Sequence, residues 1–241
     1  MDAAPARPFL TARWIHLALA NYAVDPACVA ALVPRGTELD TWNGTCFVSV
    51  VGFQFLETRV LGLPIPFHTD FDEVNLRFYV RRVVDGEVRR GVVFVKEIVP
   101  RSAIAWAANT FYGEKYVALP MAHDDALATA ARTLEYRWRF RGEWQHLRVA
   151  LAGDAYLPDE VSEEAFITEH YWGYTAQRDG STLEYRVEHP RWNVWRAAQT
   201  ELVCDVAAFY GAAFAPFLAR PPSSCFVADG SAVTVRRGRK L

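Results

Sequence analysis

The stretch FDEVNLRFYVRRVVDGEV, residues 71–88, decides how the chain is read. Val74, Leu76, Phe78 and Val80 share one face of an extended chain, and Glu73, Asn75, Arg77 and Tyr79 share the other. Asp85–Gly86 follows, a dipeptide suited to a two-residue hairpin, and RGVVFVKEIV (90–99) returns as the partner strand. Outward from this hairpin, CFVSVVGFQFLETRV (46–60), TLEYRWRF (133–140), HLRVAL (146–151) and TLEYRVEH (182–189) are rich in β-branched and aromatic residues. SCFVADGSAVTV (224–235), with Asp229–Gly230 at its centre, reads as a closing pair of strands. Many strands joined by tight turns predict a mainly β fold, an antiparallel β-barrel or β-cone or two packed sheets.

Helices are few. Asp25 can cap a segment over DPACVAALVP that Pro34 ends, and Ser102 can cap a second that Gly113 stops. Ser162 can cap a third over SEEAFITEHYW, with acidic residues in its first turn. No repeat, low-complexity tract or Gly/Ser linker divides the chain, so a single domain over residues 1–241 is expected.

The composition, 51% hydrophobic and 14% aromatic with 22% charged residues, supplies a core and an ordinary globular surface. A net charge of −2 gives no footprint for nucleic acid; only RRGRK (236–240) is a basic cluster, expected to be a frayed, solvated end. The N-terminus lacks the pattern of a secretory signal, and no apolar run has the length of a membrane span, so the expectation is a cytoplasmic protein that uses neither nucleic acid nor membrane. A homo-oligomer stays open. Cys28, Cys46, Cys204 and Cys225 lie far apart and read as small buried hydrophobes. The six histidines show no metal-ligand spacing, HDD (123–125) reads as a solvated turn, and no phosphate loop or dinucleotide fingerprint occurs; no metal or cofactor is expected.

Two stretches concentrate chemistry. The polar face of 71–82 is either an ordinary solvated strand face or, in a barrel that holds a ligand, an inward set of acid, amide, guanidinium and phenol. In the second case Arg77 suits a carboxylate, and the partner is a small molecule. FITEHYWGY (166–174) gathers Glu169, His170, Tyr171, Trp172 and Tyr174, either as a core corner or, with Trp106, as the wall of a pocket. His170 and His189 could pair with Glu169 for proton transfer.

Lysine is scarce. Lys96, Lys115 and Lys240 are the only three among 26 basic residues. Arginine cannot serve as an amine nucleophile, so covalent chemistry, if present, points to lysine. Lys96 lies in a strand, Lys240 at the terminus, and Lys115 in YGEKYVALPM (112–121), just past the second helix.

Taken in order and spacing, FDEVNLRFYV, YGEKYVALPM, EHYWGY, EHPRWNV and FVADGSAVTV resemble the YqjF-like family of uncharacterised bacterial proteins, within the acetoacetate decarboxylase-like superfamily. The resemblance implies a β-barrel or β-cone around an internal pocket. It also implies lyase chemistry, in which Lys115, at the place similar to the decarboxylase lysine, forms an imine with a small keto acid. In that scheme Arg77 holds the carboxylate, Glu73 moves protons with Tyr112 or Tyr79, and Asn75, Glu114 and Tyr116 complete the pocket. Where the decarboxylases carry a second lysine, this chain has Tyr116. The alternative is the same barrel binding a small molecule without turnover.

Overall fold

The computed structural model describes residues 8–66, 68–102 and 115–241. Its strands are β1 (Leu10–Val24), β2 (Glu38–Leu39), β3 (Cys46–Val60), β4 (Leu63–Pro64), β5 (Phe71–Val84), β6 (Glu87–Val99), β7 (Tyr116–Ala118) and β8 (Met121–Asp125). They continue as β9 (Thr133–Phe140), β10 (Glu143–Tyr156), β11 (Trp172–Ala176), β12 (Thr182–Glu188), β13 (Val194–Val203), β14 (Ser224–Val235) and β15 (Arg239–Lys240). Among the described residues three short α-helices, α1 (Glu163–Thr168), α2 (Val206–Phe209) and α3 (Ala215–Leu218), join them.

The fold is mainly β, as the alternation predicts. Among the described residues, seven strands close into a ring in the order β12, β11, β6, β5, β3, β1 and β14. The seam is the pairing of Val187 with Val235 and Glu188 with Thr234. β11 runs parallel to β6, so the ring is not wholly antiparallel. β14 also pairs with β13, from which β10, β9 and β8 extend as an outer wing.

The two faces of β5 find two different environments. Val74, Leu76, Phe78 and Val80 pack under the wing against Leu134, Tyr136 and Trp138. Glu73, Asn75, Arg77 and Tyr79 turn into the ring, where Glu73 is 2% and Asn75 1% exposed and Arg77 is partly buried. The hairpin at Asp85–Gly86 forms as expected, both residues having positive φ (50° and 83°), and Val84 pairs with Glu87.

Asp229–Gly230 is different. Residues 224–235 form one continuous strand, and Gly230 (φ 82°) marks where β14 exchanges β13 for β12 as its second neighbour. A Cβ there would lie 2.0 Å from the Trp14 carbonyl oxygen, so the position requires glycine for space as well as for backbone angle.

Other expectations are revised. Residues 26–32 form two 3₁₀ turns, with Asp25 Oδ1 accepting from the Ala27 N–H; only Val29 is fully buried nearby, too little packing to hold a longer helix. α1 forms where expected, its Ser162 cap accepting from the Ala165 N–H at 3.1 Å. HDD is an edge strand, not a solvated turn: His123 Nδ1 bonds Asp72 at 2.8 Å and Asp125 bonds His16 Nδ1 at 2.5 Å, pinning the wing to the ring. The basic tail is tied down by Arg236 to Glu188 (2.7 Å), Arg239 to Glu184 (2.7 Å) and Lys240 to Asp179 (2.6 Å). The helix expected after Ser102 lies outside the described residues, as do Trp106, Tyr112 and Glu114. Among the described residues, no helix is long and apolar enough to cross a membrane.

Candidate functional site

The ring encloses a cavity of about 740 Å³. β5 contributes Glu73, Asn75 and Arg77 as alternate residues of one strand; β6 contributes Glu97, which the register sets beside Asn75; β7 contributes Tyr116 beside Glu97. Thr168, His170 and Trp172 follow from the end of α1 and the start of β11, and His189 closes the polar wall. Aromatic residues including Trp14, Phe53, Phe55, Phe94 and Trp192 supply the apolar remainder.

Glu73 is the hub of the acidic side. Asn75 Nδ2 donates to its Oε1 at 2.9 Å, and the Tyr116 hydroxyl donates to its Oε2 at 3.1 Å. A carboxylate and a phenol in this contact can pass a proton between them.

The basic side centres on Arg77. Its Nη2 donates weakly to the Ile167 carbonyl at 3.4 Å, its Cζ lies 5.7 Å from the Tyr79 ring centre, and its Nε has no hydrogen-bond partner. Among the described residues no carboxylate lies within ion-pair distance of it. Asn75 Oδ1 and His170 Nδ1 are likewise buried without a partner.

His170 and Asp40, both buried, form with the part-exposed Arg90 a triplet absent from the sequence reading. Its Nε2 lies 3.2 Å from Asp40 Oδ2, which also accepts from Arg90 Nε at 2.7 Å. Burial pushes the Asp40 carboxyl up, but the hydrogen bonds and charges of His170 and Arg90 outweigh it and hold it at about 2. Burial drives His170 down to about 4 despite Asp40, with Arg90 and Arg77 adding to the fall. The imidazole is therefore neutral at pH 7. Since the Asp40 carboxylate can only accept, Nε2 carries the proton, and the lone pair sits on Nδ1.

His189 is neutral for the same reason, lowered to about 4 by burial against the opposing bond to Pro190 and with Arg77 adding to the fall. Its Nδ1 donates to the Pro190 carbonyl at 2.8 Å, and its ring stacks on Trp192 at 4.0 Å.

The remaining expected residues fall elsewhere. Tyr79 stands behind the wall, its hydroxyl 2.7 Å from Ser49 Oγ and its ring 4.7 Å from His170. Tyr171 packs on His189. Tyr174 turns to the outer core and donates to Glu184 at 3.3 Å. Glu169 pairs with Arg191 at 2.6 Å rather than with either histidine. Lys115 is exposed and does not line the cavity; its carbonyl accepts from the Glu97 N–H at 3.2 Å, and the next residue, Tyr116, is the one that lines the wall. Lys96 is on the outer face: Nζ donates to the Phe209 carbonyl and lies 4.4 Å from the Phe209 ring centre, and burial lowers its pKa.

The cysteine thiols are all shifted away from the thiolate form by burial. All four are free, and burial raises Cys46 to about 11 and Cys204 and Cys225 to about 12. No cluster of histidine, cysteine and carboxylate side chains suited to a metal occurs among the described residues.

Residues 11–232 match DUF2071, described as an uncharacterized conserved protein. The chain belongs to the DUF2071 family. A curated relative of this DUF2071 chain, "Uncharacterized protein YqjF" of Bacillus subtilis (strain 168), is 27% identical over 178 residues, 73% of this chain and 72% of the relative. Among solved structures, acetoacetate decarboxylase from Legionella pneumophila matches at a TM-score of 0.67 and 13% identity, covering 100% of this chain and 92% of that one. The enduracididine biosynthesis enzyme MppR, complexed with pyruvate, matches at 0.67 and 11% identity, covering 99% and 93%. The DUF2071 chain thus has the acetoacetate decarboxylase-like fold.

Proposed function

We propose that the ring holds an organic acid, with Arg77 gripping its carboxylate. The observation that carries this reading is the guanidinium itself: it faces the cavity, makes one weak bond to a carbonyl, and has no anionic partner among the described residues. A partly buried cation without a counter-ion is poorly solvated, and a carboxylate ligand would offset that with short, charge-assisted bonds. Asn75 Oδ1 and His170 Nδ1 are acceptors nearby, suited to a hydroxyl or enol proton on the same ligand. The Glu73–Tyr116 pair and neutral His170 are the groups placed to move protons if turnover occurs.

A second reading keeps the lyase chemistry of the fold's decarboxylases, with an imine at Lys115. It is favoured by the neighbouring structure of MppR with pyruvate. The exposure of Lys115 and its absence from the cavity wall weigh against it, so binding with non-covalent proton transfer is the better supported function.

The test is calorimetric titration with carboxylic acids and their matching primary amides. Acids are expected to bind and amides not. Arg77→Leu should weaken acid binding about 10- to 150-fold, the worth of a hydrogen bond to a charged group. Equal affinity for acid and amide would remove Arg77 from this role.

A further inference from the structure

We infer that the natural ligand is an acid with a large apolar body, of the size of a medium- to long-chain acyl group, rather than a small keto acid. This rests on the reading of Arg77 as the carboxylate grip and adds what the rest of the cavity selects.

The first observation is volume. About 740 Å³ equals roughly 25 waters at about 30 Å³ each, in the range of pockets that enclose drug-sized ligands. An acid of three or four carbons bonded to Arg77 would leave most of it unfilled, and unfilled space walled by Phe53, Phe55 and Phe94 is neither packed nor well hydrated. The second observation is how the polar groups are distributed. Glu73, Asn75, Glu97 and His170 are all buried, while the lining residues that reach solvent include Leu61 (69% exposed) and Ile65 (37%), with Arg237 as an exposed cation beside them. Leu61 sits on the tight turn between β3 and β4, its N–H bonded to the Phe9 carbonyl, so this apolar rim is fixed to the ring. Leu61 and Ile65 give the entrance an aliphatic side, set against the polar groups held inside. They suit a ligand whose charged head goes in first and whose apolar tail fills the passage behind it.

The test is a chain-length series: butanoate, octanoate and dodecanoate, with pyruvate and dodecan-1-ol as references, each titrated below its aggregation threshold. Affinity is expected to tighten by about fourfold per added CH₂, the equivalent of about 0.8 kcal/mol, until the cavity fills. Pyruvate should bind more weakly than octanoate. Val187→Trp, which adds bulk to the wall, should make the series level off at a shorter acid. A flat series, or pyruvate binding tighter than dodecanoate, overturns the inference while leaving the Arg77 grip intact if Arg77→Leu still weakens every acid. Dodecan-1-ol binding as tightly as dodecanoate does the opposite: the apolar body stands and the carboxylate grip fails.

Discussion

Replacing His170 with glutamine should flatten the acid side of the stability curve. In the folded protein His170 is buried and lowered to about 4, against 6.5 in an unfolded chain. Between those values the unfolded chain takes up a proton that the native state refuses, so stability falls as pH falls through 6.5 and levels off below 4. For these two values the loss from pH 7 to pH 5 comes to about 2 kcal/mol. Other groups titrate too: His189 adds to the loss, and His123, raised by its bond to Asp72, opposes it. The His170→Gln difference isolates one site, because a glutamine amide can occupy the Nε2 position and donate to Asp40 without titrating. Urea unfolding of both proteins at pH 7 and pH 5 should show the variant losing about 2 kcal/mol less than the parent. Equal losses, within about 0.5 kcal/mol, would mean that His170 is not buried neutral beside Asp40.

Further outcomes are expected. Incubation with pyruvate or acetoacetate and borohydride should give no mass gain; a gain that disappears in Lys115→Ala would restore imine chemistry at that amine. Asp40→Ala leaves His170 Nε2–H and Arg90 without their acceptor and should cost about 1–3 kcal/mol in urea unfolding, as leaving a buried donor unsatisfied does; a loss under about 0.5 kcal/mol would show the triplet to be solvated. Glu184→Gln should cost a similar amount, because Arg82, Arg89 and Arg239 all converge on that fully buried carboxylate. Gly230→Ala should lower soluble yield and melting temperature sharply, since its Cβ would overlap the backbone of β1; a variant that melts like the parent would refute the strand-crossing geometry.

The strands and the Asp85–Gly86 hairpin were legible because alternation and turn chemistry are local. Alternation also divided β5 correctly into two faces, yet it could not say what each face meets: the wing that covers Val74 to Val80 is built from β8–β10, far along the chain. The dipeptide at 229–230 was read as a hairpin because a turn and a bulge ask for the same positive-φ residue, and only the partner strands distinguish them. Asp40 gave no signal, since a lone carboxylate in TELDTW has no period, and its partners His170 and Arg90 come from two other elements. Glu97 was out of reach: the register counted from the Asp85–Gly86 turn sets Lys96 opposite Asn75, and only an irregularity between Leu76 and Arg77 brings Glu97 there instead. Lys115 drew attention through scarcity, but a strand sends adjacent side chains to opposite sides, and at this place the inward one is Tyr116.

The seam that closes the ring has a consequence for how the protein comes into being. β14 must pair with β1, from which nearly the whole ring separates it along the chain, while also meeting β12. Contacts so distant along the chain form slowly, because a long loop must be closed before any of them is gained. Until then the edges of β1 and β12 stay unpaired and the aromatic wall of the cavity faces water, an arrangement prone to association between nascent chains. The wall of the cavity is therefore closed only once β14 has paired with both β1 and β12.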